Sequence, residues 1–232
     1  MHASPIQVIE LSPFRLAPDL EPPATSRFDT PTAWAAFGAA ALLHVGATDL
    51  HYINNTHFVD FAAFIQSVAL DRILAAVLDL DDAPDIDHFL PLDGGIAFFD
   101  ARGALLLTPQ CCCDLSNLQE WAHALENAGT AGWQPIWIGH PLVYLRHVGE
   151  DVAVSCTVSE AGPPPAEDED SLLRMSRERF RSFLADAEAA RCTAFDAVRA
   201  SIARVAPMVP SDVAARLLLA IGADEGTGAD AP

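Results

Sequence analysis

GGIAFFDARGALLLTPQCCCDLSNLQEW, from Gly94 to Trp121, is the stretch on which the fold turns. Ile96–Asp100 and Ala104–Thr108 are apolar and strand-like, and Ala-Arg-Gly at 101–103 predicts a hairpin between them. Pro109 stops the pattern. Three consecutive cysteines follow, then Ser116 and Gln119 in the S-x-x-Q spacing of a capping box, which predicts a helix from Asn117 to Asn127. Gly129 and Gly132 close it. A second hairpin is predicted from Leu142–Val148 and Val152–Val158 about a Gly149-Glu150-Asp151 turn. Hairpins interleaved with helices define an α+β class, an antiparallel sheet of about four strands packed with helices.

Outward from this core, residues 1–30 hold Pro5, Pro13, Pro18, Pro22 and Pro23 and read as an extended arm, with Ile6, Val8 and Ile9 able to make a short edge strand. Thr30-Pro31 predicts a capped helix start, and the helix runs from Thr32 to about Val45 before Gly46. HYINNTH at 51–57 reads as a strand or turn. Phe61, Phe64, Ile65, Val68, Ile73 and Val77 predict a second helix over Val59–Leu78. The α+β domain thus spans 31–160. An acidic, proline-rich linker spans 161–171, a helical segment broken at Pro207 and Pro210 spans 172–221, and 222–232 reads as a disordered tail.

The chain of 232 residues is 51% hydrophobic, which suits a globular protein. Its apolar runs stop well short of the ~20 residues of a membrane span. The N-terminus lacks a basic start followed by an apolar block, so a cytoplasmic protein is expected. Thirty-two acids face 13 bases, all arginine, for a formal charge of -19. That charge disfavours nucleic acid and would attract a basic protein partner, while plain solubility is the larger reading of it and a salt-adapted host a further one. An odd count of 5 cysteines in such a chain implies reduced thiols.

Cys111 to Cys113 admit three readings. Zinc asks for four converging ligands, and adjacent residues of an extended segment point to opposite faces. Cys111 and Cys113 can therefore share a face, with His123 and His140 as further ligands, but no second C-x-x-C completes the set. As a nucleophile, Cys113 would gain from the following helix N-terminus, with His140 as base and Asp114 as orienter, yet the Asp114 charge opposes a thiolate. The third reading is a corner of small apolar side chains packed where the hairpin is left. It is preferred, so no catalytic residue and no cofactor is assigned, and zinc stays an alternative.

His51 and His57 flank an Asn-Asn turn and are read as turn residues rather than metal ligands. The aspartates at 79, 81, 82, 85 and 87 lack the glycine and glutamate of a calcium loop. Walker, G-x-S-x-G and H-E-x-x-H motifs are absent. Trp133, Ile136, Trp137 and Ile138, just before Gly139-His140-Pro141, read by default as core, with Trp133, Trp137 and His140 the candidates for a binding surface otherwise.

Taken together, LPLDGGIAFFDARGALLL at 90–107, TPQCCCDLSNLQEW and the later WIGHP resemble bacterial proteins of the SUKH immunity type over residues 59–158. The cysteine triplet and the long C-terminal helix depart from that pattern, and no functional residue carries over. The resemblance implies an intracellular α+β protein that neutralises a toxin by contact. The function expected is an acidic, cytoplasmic protein-binding module, an immunity or regulatory protein for a basic partner. The alternatives are a thiol- or metal-dependent protein centred on Cys111–Cys113 and an assembly component using the C-terminal helices.

Overall fold

The hairpin expected from Ile96 onward forms, and it forms against a strand hidden in the proline-rich N-terminus. The computed structural model describes residues 3–26, 29–54, 56–78, 91–110, 112–127, 132–159, 162–166, 170–210 and 213–218. Its elements, in order, are β1 (Ala3–Glu10), α1 (Pro13–Leu16), α2 (Pro31–His44), β2 (Phe58–Asp60), α3 (Phe61–Gln66), α4 (Leu70–Leu78), β3 (Gly94–Asp100) and β4 (Leu105–Leu107). There follow α5 (Asn117–Glu126), β5 (Gln134–Ile136), β6 (Val143–Val148), β7 (Asp151–Val154), β8 (Leu173–Ser176), α6 (Arg177–Val205) and α7 (Val213–Leu218). The chain divides into two compact units, Met1–Glu10 with Asp93–Ala189, and Leu11–Leu92 with Ala190–Pro232.

In the first unit, β1 runs antiparallel to β3 from Ala3 opposite Asp100 to Ile9 opposite Gly94, and β4 pairs on the other side of β3. A second antiparallel sheet has the order β5-β6-β7-β8. The α+β class holds, with the two hairpins in different sheets. At the β3–β4 turn, Asp100 Oδ1 accepts from the backbone N–H groups of Arg102 and Ala104, both at 2.8 Å, which fixes the reversal.

Gly94 and Gly95 are required by a close approach. A Cβ on Gly94 would lie 2.5 Å from the Val8 carbonyl oxygen. One on Gly95, where φ is +144°, would lie 3.0 Å from Asn117 Oδ1 and 3.3 Å from Cys113 Sγ. The strand thus lies directly against the 113–117 corner, to which the Gly94 N–H donates at the Cys113 carbonyl. Asn117, at 2% exposure, then ties the corner inward. Its Nδ2 donates to the Trp137 carbonyl, and its Oδ1 accepts from Trp121 Nε1 at 2.8 Å. Beneath it Phe98, Trp121 and Phe180 meet with ring centroids 5.3–5.9 Å apart, at the centre of a core that β6, β7 and β8 complete with Val143, Leu145, Val152, Leu173 and Met175. Each such aromatic pair adds about 0.5–1.5 kcal/mol beyond area burial.

Several local expectations change. The N-terminal arm is a full strand over Ala3–Glu10, because β3 supplies its hydrogen-bond partner. Leu172 does not open a helix. Leu173 and Met175 turn inward while Arg174 and Ser176 face out, and this two-residue period is that of β8. Ser116 makes no capping bond. Asp114 Oδ1 instead accepts from the Ser116 N–H and hydroxyl, at 2.8 and 2.6 Å. Thr30 likewise gives α2 no side-chain cap.

In the second unit, the helix expected over Val59–Leu78 is cut in two. Asp60 caps α3 by accepting from Ala63 N–H at 2.8 Å, and at Ser67 the backbone is extended. There Asp49 accepts from Ser67 Oγ at 2.9 Å and from Val68 N–H at 3.1 Å, so a distant carboxylate holds the break. On the part of α6 in this unit, Arg191, Ala194, Val198 and Ile202 are buried. Arg191 donates to the Leu218 carbonyl of α7 at 2.9 Å. Arg204 grips Asp71 of α4 through Nε and Nη2, both at 2.7 Å, and Ser201 adds a third bond to that carboxylate. Among the described residues no helix is long and apolar enough to cross a membrane. The acidic stretch 79–88, Cys111, Gly129, residues 161 and 167–169 of the linker, Ser211-Asp212 and the 222–232 tail lie outside the described residues.

Asn117→Leu is expected to cost about 2–4 kcal/mol in denaturant unfolding, since it strands a buried indole N–H and a carbonyl. The Asp71 contacts have a pH signature. Hydrogen bonds from Arg204 and Ser201 hold the Asp71 carboxyl down at about 2, against 3.8 for an unperturbed aspartate. A depressed folded-state pKa contributes stability that is full above the unfolded value and is lost as pH falls through the folded one. The stability difference between wild type and Asp71→Asn is therefore expected to be constant above about pH 5 and to shrink between about pH 4 and pH 2, read by thermal melts across that range.

Candidate functional site

The α2 sequence PTAWAAFGAAALLH has almost no polar face. A helix apolar all round is normally buried. In α2 only Phe37, Gly38, Ala41 and Leu42 are, while Ala35, Ala36, Ala39, Ala40 and Leu43 are exposed, Leu43 at 65%. Beside this face, Ala47, Thr48, Leu50, His51, Tyr52, Thr56 and His57 form the other side of a groove of about 440 Å³, within the usual range for ligand sites.

Each wall of the groove is fixed by a specific contact. The Cδ2–Cε2 edge of the Tyr52 ring packs on α2 because residue 38 is glycine. A Cβ there would sit 2.8 Å from the ring. The Tyr52 hydroxyl donates to the Leu11 carbonyl at 2.7 Å, which anchors the far end. Trp34 is held by its indole N–H, which donates to the Thr25 carbonyl at 2.7 Å, and by edge contacts with Phe14 and Phe37 at 6.1 and 5.6 Å. His57 stands between the two, 6.3 Å from Trp34 and 6.1 Å from Tyr52. Among the described residues, those lining the groove carry no carboxylate and no guanidinium; the polar ones include Thr48, His51 and Thr56. Asp49, next in sequence to Thr48, is exposed. Burial pushes its carboxyl up, but bonds from Val68 and Ser67 and the nearby His51 outweigh that and leave it below the usual aspartate value.

The residues singled out in the sequence lie elsewhere. Trp133 donates to the Ala166 carbonyl at 3.0 Å and carries the Arg146 guanidinium 4.5 Å from its ring centroid. Trp137 meets His140 edge-on at 4.5 Å, and His140 is exposed. His123 is exposed on α5. Cys113 is buried at 1%, whereas Cys112 is exposed in a left-handed turn with φ of 64°. Burial pushes the Cys113 thiol far above its ordinary pKa, and the Asp114 and Asp93 carboxylates push it the same way. The thiolate that a nucleophile requires is therefore opposed, and the effect of the α5 N-terminus is overridden. Among the described residues no three His, Cys, Asp or Glu side chains gather as metal ligands.

The sequence reading passed over α2 as a site. Its signal is there nonetheless, as a helix whose polar face is missing. His51 and His57, taken as turn residues, both line the groove.

Comparison with known proteins finds no matching family model, no similar curated protein and no similar solved structure. The groove is accordingly read from its own chemistry. It is an apolar, aromatic-walled recess on one side of α2.

With a thiol reagent at about pH 8, near the ordinary cysteine pKa, Cys112, Cys156 and Cys192 are expected to react in the native protein. Cys113 is expected to stay unmodified until denaturant is added, as read by peptide mass mapping. Native labelling of Cys113 would contradict its burial.

Proposed function

We propose that this protein is a non-enzymatic, acidic protein-binding module whose partner is basic. The observation that carries this reading is the charge, 32 acids against 13 arginines for a net -19. Such a field raises the encounter rate with a positively charged protein and repels phosphate backbones. The exposed apolar face of α2 supports the same reading, because contiguous exposed apolar surface marks interaction sites. The SUKH-type resemblance of residues 59–158 adds a biological setting, a cytoplasmic immunity or regulatory protein that silences its partner by contact. Toxins that cut nucleic acid are commonly basic, which suits an acidic inhibitor. The thiol-centred alternative loses ground at Cys113, whose thiol is buried and held protonated.

The test is affinity purification of the tagged chain from its own cells at about 0.05 M salt, followed by elution to about 0.5 M, where screening shortens the Debye length to a few ångströms. A stoichiometric protein of basic isoelectric point, released as salt rises, is the expected outcome. An acidic partner, or one retained undiminished at the higher salt, would overturn the reading.

A further inference from the structure

We infer that the α2 groove is the docking site for an amphipathic helix of the basic partner, its apolar ridge seated between α2 and the Ala47–Tyr52, Thr56 and His57 side, and its cationic flank toward exposed Asp49. This rests on the reading of the chain as an acidic binding module and says where and by what shape the partner is held.

Three observations lead to that occupant. The first is extent. The recess is about 440 Å³, yet the exposed apolar surface of α2 continues past it along Ala36 and Ala40, more than a small molecule in the recess would cover. The second is charge. The described lining is uncharged, but exposed Glu21 and Asp29 precede it in sequence, exposed Asp49 lies between the lining residues Thr48 and Leu50, and the whole unit, residues 11–92 and 190–232, holds sixteen Asp and Glu against seven Arg. Of those arginines, Arg72 is turned to the Gly46 carbonyl at 3.4 Å. Asp49 keeps its charge, since bonds from Ser67 and Val68 favour the ionised form. An apolar ridge with lysines or arginines on its shoulders matches this pattern, and an acidic ridge does not.

The third is backbone bookkeeping. The α2 wall presents side-chain carbon and aromatic rings, with its own N–H and C=O groups spent inside the helix. An extended strand laid there would leave its backbone unpaired away from water, whereas a helix arrives with its hydrogen bonds already made. Leu43 is the natural contact, being large, apolar and 65% exposed, with the methyls of Ala39 and Ala35 one turn and two turns before it.

The experiment uses the full-length chain and three labelled synthetic peptides of equal length, read by fluorescence anisotropy at about 0.05 M salt. One is an amphipathic leucine/lysine helix, one its leucine/glutamate counterpart, and one a serine/lysine peptide with equal charge and no apolar ridge. The receptors are wild type, Leu43→Glu, Ala39→Glu, the milder Leu43→Ser, and Met208→Glu as a control at a residue 92% exposed outside the groove. Thermal melts confirm that each is folded. The glutamate variants add negative charge, so electrostatics alone would tighten lysine peptides, and any weakening must come from lost apolar docking.

The leucine/lysine peptide is expected to bind wild type at least about tenfold more tightly than the serine/lysine peptide, and to weaken about tenfold or more in Leu43→Glu and Ala39→Glu. Leu43→Ser is expected to weaken it less, and Met208→Glu not at all. If the leucine/lysine peptide binds Leu43→Glu and Ala39→Glu as it binds wild type, the groove is not the site, while the acidic-module reading survives. If leucine/glutamate binds as well as leucine/lysine, charge complementarity fails and the proposal goes with it. If neither lysine peptide binds at low salt, the acidic-module reading itself falls. A wild-type chain that sediments as a dimer and becomes monomeric in Leu43→Glu would assign the face to a second copy and overturn the proposal.

Discussion

The close approach of the Gly94-Gly95 backbone to the corner at 113–117 is the constraint on which the first unit depends. Without side chains at 94 and 95, β3 can lie against the Val8 carbonyl on one side and against Cys113 and Asn117 on the other. Asn117 converts that contact into a crosslink, with one amide bonded at once to Trp121 on α5 and to the backbone at Trp137. A buried side-chain amide costs several kcal/mol if left unpaired, so satisfying both ends forces a single arrangement of the strand, the helix and the segment leading to β6. The aromatic trio of Phe98, Trp121 and Phe180 fills the space that results. The cysteine triplet, so conspicuous as a motif, takes its meaning here. Cys113 is small enough to sit beneath Gly95, and its buried thiol serves packing.

The second unit solves a different problem. An apolar helix with half its surface in water forgoes the burial that stabilises other helices, about 25 cal/mol for each Å² left wet. The aromatic wall of Trp34, Tyr52 and His57 shelters part of α2, and Gly38 is the concession that lets Tyr52 reach it. Leu43 remains uncovered. Natural monomers rarely keep such surface without a use for it, and here it coexists with a strongly negative charge. In the proposed complex, apolar contact would set the lifetime and long-range attraction the rate of formation.

Legibility followed the range of the interactions involved. The two hairpins and the α5 helix were readable because alternation, turn residues and helical spacing are local. The strand β1 was half-readable, as Ile6, Val8 and Ile9 alternate weakly around prolines, and only pairing with β3 makes it whole. The Ser67 break was not readable, because Phe61 to Val77 keep a continuous helical period. The break is held by Asp49, eighteen residues earlier. Leu173 and Met175 are equally ambiguous, since two apolar residues ahead of a strong helix former read as helix until a neighbouring strand claims them. For the site, Trp133, Trp137 and His140 drew attention by residue type, yet Trp133 is occupied by Arg146 and Ala166, and the groove formed around alanines that no motif would mark.

By itself the sequence determined the charge, the class of fold, and the identity of most helices and both hairpins. These depend on composition and on spacing within a few residues, and the tertiary context had only to accept them. The structure alone decided which strands flank the hairpins, where the long apolar stretches break, how deeply Cys113 is buried, and that one side of α2 stays open. Each of these is a contact between residues far apart in the chain. Whether a carboxylate, a ring or a strand edge arrives to make such a contact is a property of the packed whole, and local spacing holds no record of it.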